Sequence, residues 1–209
     1  MARQEGLFVE NVHTPYLTIN NLWLDNLSGN EITDYLLQCV DDCHQCEIPT
    51  MIVHLTGGDN PPILNELGIN RIKKIIERAE RKCVNVALEN LREPENLKYV
   101  FDSINSRRLG FCFDSGHQNC YSKHIDLLSM YGDKLMALHI HDNDESDDQH
   151  LVPFDGNIDW NEVIKKLNEI RYNGPIALEI MNMGYEHIKE PGEFLAIAFE
   201  RAKRLKDLR

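Results

Sequence analysis

Four residues of the chain could together hold a divalent cation: Glu89, Asp114, His139 and Glu179. Two glutamates, an aspartate and a histidine offer a mixed oxygen and nitrogen set that suits Mn2+, Co2+, Mg2+ or Zn2+. Each comes at or near the end of a short apolar run: Glu89 in VALEN, Asp114 in FCFDSGHQN, His139 in LHIHDN and Glu179 in IALEI. A carboxylate behind residues of buried-strand character is costly unless a cation or a hydrogen-bond partner meets it. Taken singly, a glutamate at a strand end is ordinarily solvated and a histidine ordinarily makes a local hydrogen bond, so the constellation carries the inference. Further candidates stand nearby. His117 follows Asp114 across a glycine that permits a tight turn, and His141 lies two residues after His139, on the same side of an extended strand. Asp142 and Asn143 are expected as outer partners that fix the tautomer of His139.

These side chains need a scaffold to bring them together. Apolar runs at 8–14, 51–56, 84–90, 109–114, 135–142 and 175–180 are β-branched or aromatic-rich and nearly continuous in hydrophobicity. That is the pattern of strands buried on both faces of a parallel sheet. Helical periodicity falls between them, at about 30–46, 64–82, 94–105, 122–131, 159–171 and 191–208. The alternation makes an α/β fold with right-handed crossovers. No Ser/Gly linker, charge block or internal repeat interrupts it, so residues 1–209 read as one domain. The C-terminal ends of the six runs carry His13, His54, Glu89, Asp114, His139 and Glu179 in turn. A doubly wound sheet concentrates its site at one switch point, whereas a barrel collects residues from the ends of all its strands, which selects a barrel. A closed (β/α)8 barrel has eight strands in roughly 250 residues. The expected architecture is therefore an incomplete barrel, short of its first two β/α units, whose open edge a second copy could cover.

Composition narrows the function classes. A hydrophobic content of 42% with 27% charged residues is that of a soluble globular protein, and no stretch approaches a membrane span. The N-terminus lacks an apolar signal region, so the expected compartment is the cytoplasm. A formal net charge of −12 argues against nucleic acid as a partner, since affinity for phosphates comes from Lys and Arg. Cys39, Cys43 and Cys46 have a spacing that an iron–sulfur cluster could use, but they fall along the apolar stripe of a helix and are expected to be packing residues. Trp160 is expected to pack at a helix start behind the Gly156 turn. Trp23 fits either the core or a loop over the site, and Lys123 and Arg108 could meet a substrate phosphate.

The motifs HTPYLTIN (13–20), VHLTGG (53–58), ALEN (87–90), FDSGH (113–117), HIHDND (139–144), DQH (148–150), GNIDW (156–160) and ALEI (177–180) resemble the xylose isomerase-like superfamily. This superfamily of TIM-type barrels includes sugar phosphate isomerases and epimerases and the endonuclease IV family. The resemblance runs over essentially the whole chain, matched to family strands three to eight. It implies that Glu89, Asp114, His139 and Glu179 are the metal ligands and that His117 contacts substrate. It further implies that Glu89 and Glu179 are a pair of proton-transfer bases acting through a metal-stabilised enediolate of a sugar or sugar phosphate. The endonuclease branch uses three zinc ions, and counterparts of its extra ligands are present at His13, His54, Asp148 and His150. The resemblance thus leaves a zinc-dependent phosphodiester hydrolase as the alternative, and beyond it a metal-binding barrel without activity.

Overall fold

The computed structural model describes residues 2–188 and 190–209. Its strands are β1 (Asn11–His13), β2 (Thr50–Val53), β3 (Asn85–Glu89), β4 (Leu109–Asp114) and β5 (Leu135–His139). Its helices are α1 (Leu27–Gln45), α2 (Glu66–Lys82), α3 (Glu95–Ser103), α4 (Ser115–Tyr121), α5 (Leu127–Tyr131), α6 (Trp160–Glu169) and α7 (Pro191–Asp207). Hydrogen-bonded neighbours follow chain order, β1-β2-β3-β4-β5. No helix among the described residues is long and apolar enough to cross a membrane. The chain packs as two compact units, one up to Phe111 and one from Cys112 on.

In the first unit, β1, β2 and β3 are parallel, with Asn11 beside Thr50 and Thr50 beside Asn85. The N–H of Val86 donates to Arg108 O at 2.7 Å, which brings in the next strand. All four β2 residues are buried, as expected of a parallel strand covered on both faces. α2 lays Ile69, Ile72, Ile75, Ile76 and Ala79 on one side, the spacing of a helix face that must be covered. Both long helices of this unit begin at an asparagine whose side chain accepts a backbone N–H: Asn26 from Gly29 at 2.7 Å and Asn65 from Gly68 at 3.1 Å. Trp23 is core, 2% exposed, with Nε1 donating to Leu55 O at 2.6 Å. The buried Arg71 guanidinium donates to the carbonyls of Asn21, Leu22 and Leu24, which pins the segment leading into α1. Of the three cysteines, Cys43 is buried, Cys39 half-buried and Cys46 exposed at the helix end, so the expected stripe stops before Cys46.

In the second unit two expectations need correction. The run 175–180 is not a strand. It makes a single parallel bridge between Leu178 and Ile140, with Ile140 N–H donating to Ala177 O at 2.9 Å and Glu179 N–H to Ile140 O at 3.0 Å. Among the described residues five strands are formed rather than six, and 176–180 is only half-buried, so its apolar character does not yield a full ladder. The helix read at 122–131 is confined to α5, and a separate helix, α4, lies ahead of that range. α4 starts directly from Asp114, whose side chain accepts the His117 N–H at 2.7 Å, and α5 starts from Asp126. α6 is capped by Asp159, whose side chain accepts from the N–H groups of Asn161 and Glu162.

A single close approach tests the packing of the first unit. A Cβ at Gly68 would stand 2.0 Å from Trp23 Cε3, against a ring with no room to retreat. Gly68→Ala is expected to displace Trp23 and cost about 1–3 kcal/mol, read as a lowered urea midpoint at unchanged slope.

Candidate metal centre

In the first unit, His13 is the last residue of β1, His54 follows β2 and Glu89 is the last residue of β3. Three atoms converge there. The Nε2 atoms of His13 and His54 lie 3.0 Å apart, and Glu89 Oε2 is 3.2 Å from the first and 3.3 Å from the second. His13 Nδ1 donates to Thr14 O at 2.7 Å, which fixes the tautomer so that the neutral ring turns the Nε2 lone pair toward the other two atoms. Ligands held about 2.0–2.1 Å from a tetrahedral zinc stand roughly 3.3 Å from one another, so this triangle fits a cation. Tyr16, from the HTPYL motif, stacks on the His54 ring at 4.6 Å and 28°. Sequence reasoning gave Tyr16 no role, although its place three residues after His13 was the available signal.

In the second unit, Asp114 and His139 end β4 and β5, and Glu179 follows the bridging residue Leu178. Asp114, His139 and Glu179 each offer a ligand atom within 4.8 Å of the others. His139 Nδ1 is 2.9 Å from Glu179 Oε2 and 4.0 Å from Asp114 Oδ2. Glu179 Oε2 is buried and accepts no hydrogen bond, so its contact with His139 is one of two ligand atoms turned toward shared space. Asp114 is fully buried and oriented from behind: His141 Nε2 donates to its two oxygens at 3.0 and 3.1 Å. His141 is thus an outer partner of Asp114. Ser115 locks His141 in turn, donating to its carbonyl at 2.7 Å and accepting its N–H at 3.0 Å.

A second group lies in the same unit. Asp148 Oδ2 is 3.2 Å from His117 Nε2 and 3.2 Å from His150 Nε2, while Asp148 Oδ1 is buried without a hydrogen-bond partner. His150 Nδ1 donates to Glu179 O at 2.8 Å, so here too the tautomer presents Nε2 inward. Burial by itself would lower the His150 pKa, but the Asp148 carboxylate and the Glu179 carbonyl outweigh it and raise the ring to about 9. Burial would likewise raise Asp148, yet hydrogen bonds from His117 and His150 hold it far below the usual carboxylate range. The proton on His150 is the positive charge that this carboxylate needs when no metal ion supplies one.

Asp142 is a correction. Its carboxylate does not serve His139. It accepts the N–H groups of Asn143, Phe154 and Ile158 and the Trp160 Nε1–H at 2.9 Å, and so organises the loop that leads into α6. The backbone there passes so close to Gly156 that a Cβ would stand 2.3 Å from Asn143 O. Asn143 likewise ties loop to helix, donating to Gly116 O and accepting from Asn119. Lys123 pairs with Glu145, and Arg108 donates to Asn85 at the opposite end of its strand from Asp114, so neither is placed for a substrate phosphate.

Several known proteins are similar to this chain. An uncharacterized protein of Methanocaldococcus jannaschii is 27% identical over 82% of this chain and 64% of its own length. Inosose isomerase of Bacillus velezensis is 26% identical over 54% of this chain and 46% of its own. A probable endonuclease 4 of Mycoplasma mycoides is 27% identical over 51% of this chain and 40% of its own. The chain spans about half to just under two thirds of the first curated relatives it matches. Among solved structures, a D-tagatose 3-epimerase-like protein superposes with a TM-score of 0.72 at 24% identity, over 96% of this chain and 81% of that one. The IOLI protein with a bound zinc atom superposes with a TM-score of 0.78 at 15% identity, over 98% of this chain and 90% of that one. A family model described as xylose isomerase-like TIM barrel matches residues 1–205, and the chain belongs to that family.

Proposed function

We propose that the protein is a divalent-metal-dependent isomerase or epimerase of a sugar or sugar phosphate, with Glu89, Asp114, His139 and Glu179 as its metal ligands. The observation that carries this reading is the Asp114, His139 and Glu179 group, in which one potential ligand atom from each residue lies within 4.8 Å of the others and His139 Nδ1 stands 2.9 Å from Glu179 Oε2. A solved epimerase-like relative, an isomerase among the curated relatives and a zinc-bound structural neighbour support it. A bound divalent ion would supply Lewis acidity, lowering the barrier to removal of the proton next to a ketose carbonyl. The rest of the work falls to the chain. Glu179, the more exposed carboxylate, takes the proton, and Glu89, the buried one, returns one to the opposite face or the adjacent carbon. His117 contacts a substrate oxygen. His141 holds the Asp114 carboxylate in one orientation, so that ligation costs little reorganisation.

A second reading has its own observation. The His13–His54–Glu89 triangle in one unit fits a cation, and in the other Asp148 has His117 and His150 each at 3.2 Å, with His141, Asp148 and His150 grouped closely enough to hold one, in addition to the four ligands above. Three zinc ions would suit a phosphodiester hydrolase, the activity suggested by the probable endonuclease 4 relative. The net charge of −12 weighs against DNA as the substrate.

Metal analysis separates the two readings. The isomerase reading expects about one tightly held ion per chain and deuterium from heavy water at the carbon next to the carbonyl of recovered ketohexoses. Three zinc ions per chain with cleavage of an abasic-site oligonucleotide, and no deuterium exchange, would overturn it. The proton-transfer role is tested by Glu179→Gln. With the metal content measured alongside, exchange is expected to fall by about 10²–10⁴-fold. An unchanged exchange rate would remove Glu179 from the chemistry.

A further inference from the structure

The two ends of the chain carry surfaces of opposite character, and each is more apolar than a free helix face needs to be. Between Arg3 and Arg71 the sequence contains no lysine or arginine and ten acidic residues, so this segment accounts for most of the net charge of −12. α1 lies within it. Its outward stripe, at helical spacing, consists of Leu27, Glu31, Asp34 and Tyr35, with Leu27 81% and Tyr35 48% exposed. α7 shows the reverse. From Arg201 to Arg209 there are five basic residues and one acid. Arg201 is held by Asp155 and Arg204 lies over the Phe154 ring, which leaves the outward stripe as Leu195, Phe199, Lys203 and Lys206. Leu195 and Phe199 are each 64% exposed, one helical turn apart.

We propose that the chain self-associates, with the outward stripe of α1 in one copy packed against the outward stripe of α7 in another. The apolar pairs Leu27 with Tyr35 and Leu195 with Phe199 form the dry part of the contact. Glu31 and Asp34 face Lys203 and Lys206 at its rim, where opposite charges set the register and like charges would refuse it. The charge pattern selects the occupant: α1 against α1 would set acid on acid, and α7 against α7 base on base. Lys203 lies 3.3 Å from Glu200 of its own helix, an exposed pair that a partner's carboxylates can replace at little cost. Contacts of this kind close when two copies exchange them reciprocally and propagate when they do not. The inference is independent of the reaction proposed above, since it uses none of the metal-site residues.

Charge reversal on the full chain tests it by sedimentation velocity across a concentration series. Glu31→Lys/Asp34→Lys gives a copy whose two stripes are both basic, and Lys203→Glu/Lys206→Glu one whose stripes are both acidic. Each variant alone is expected to weaken self-association by about tenfold or more, while an equimolar mixture recovers it. All four positions are exposed, and circular dichroism verifies that the variants keep their fold. A wild-type chain that remains monomeric at about 100 μM overturns the proposal. So does association that neither reversal weakens, or a mixture that recovers nothing.

Discussion

Everything distinctive in this protein follows from the cost of ending a buried strand in a charge. Parallel strands covered on both faces have no solvated side on which to put a carboxylate or an imidazole, so polar groups are left to the strand ends. Glu89 and Asp114 sit there almost wholly buried, and each is met by imidazole nitrogens at about hydrogen-bond distance. Such a group is stable only if something positive is present, whether a proton shared with a histidine or a metal ion. The apolar strands hold these buried polar groups in place.

The same need explains how the imidazoles at these strand ends are oriented. His13 and His150 each spend one ring nitrogen on a backbone carbonyl, leaving the other nitrogen with a fixed character. His141 spends its proton on Asp114, and Ser115 spends its hydroxyl on His141. His141 and Ser115 are placed to orient rather than to react. They remove rotational freedom from the Asp114 carboxylate, the role outer partners play in metal sites generally.

Where sequence reasoning fell short, a neighbour decided the outcome. The run 175–180 has the composition of a strand, yet a strand exists only through its ladder, and one bridge to Ile140 is all that forms. α4 was hidden in FDSGH because an aspartate before a glycine reads as a turn, and the capping bond from Asp114 to the His117 N–H becomes visible only once the backbone is placed. Asp142, three residues after His139, reads as its partner from proximity along the chain. Its carboxylate in fact collects donors twelve to eighteen residues later.

The identity and order of the strand-end residues, the alternation of strand and helix, and the family itself were all legible in the sequence. They rest on local patterns: a period of two or of 3.6, a cap, a short motif. Family membership across residues 1–205 shows how much information those patterns hold. Only the tertiary structure decided which ring nitrogen faces inward and which carboxylate oxygen lacks a hydrogen bond. It alone decided that Asp142 serves a loop and that Trp23 is core. Those are matters of distances of about 3 Å between residues tens of positions apart, and no local pattern encodes a distance of that kind. The sequence thus named the strand-end residues, and the fold gave each of them its orientation.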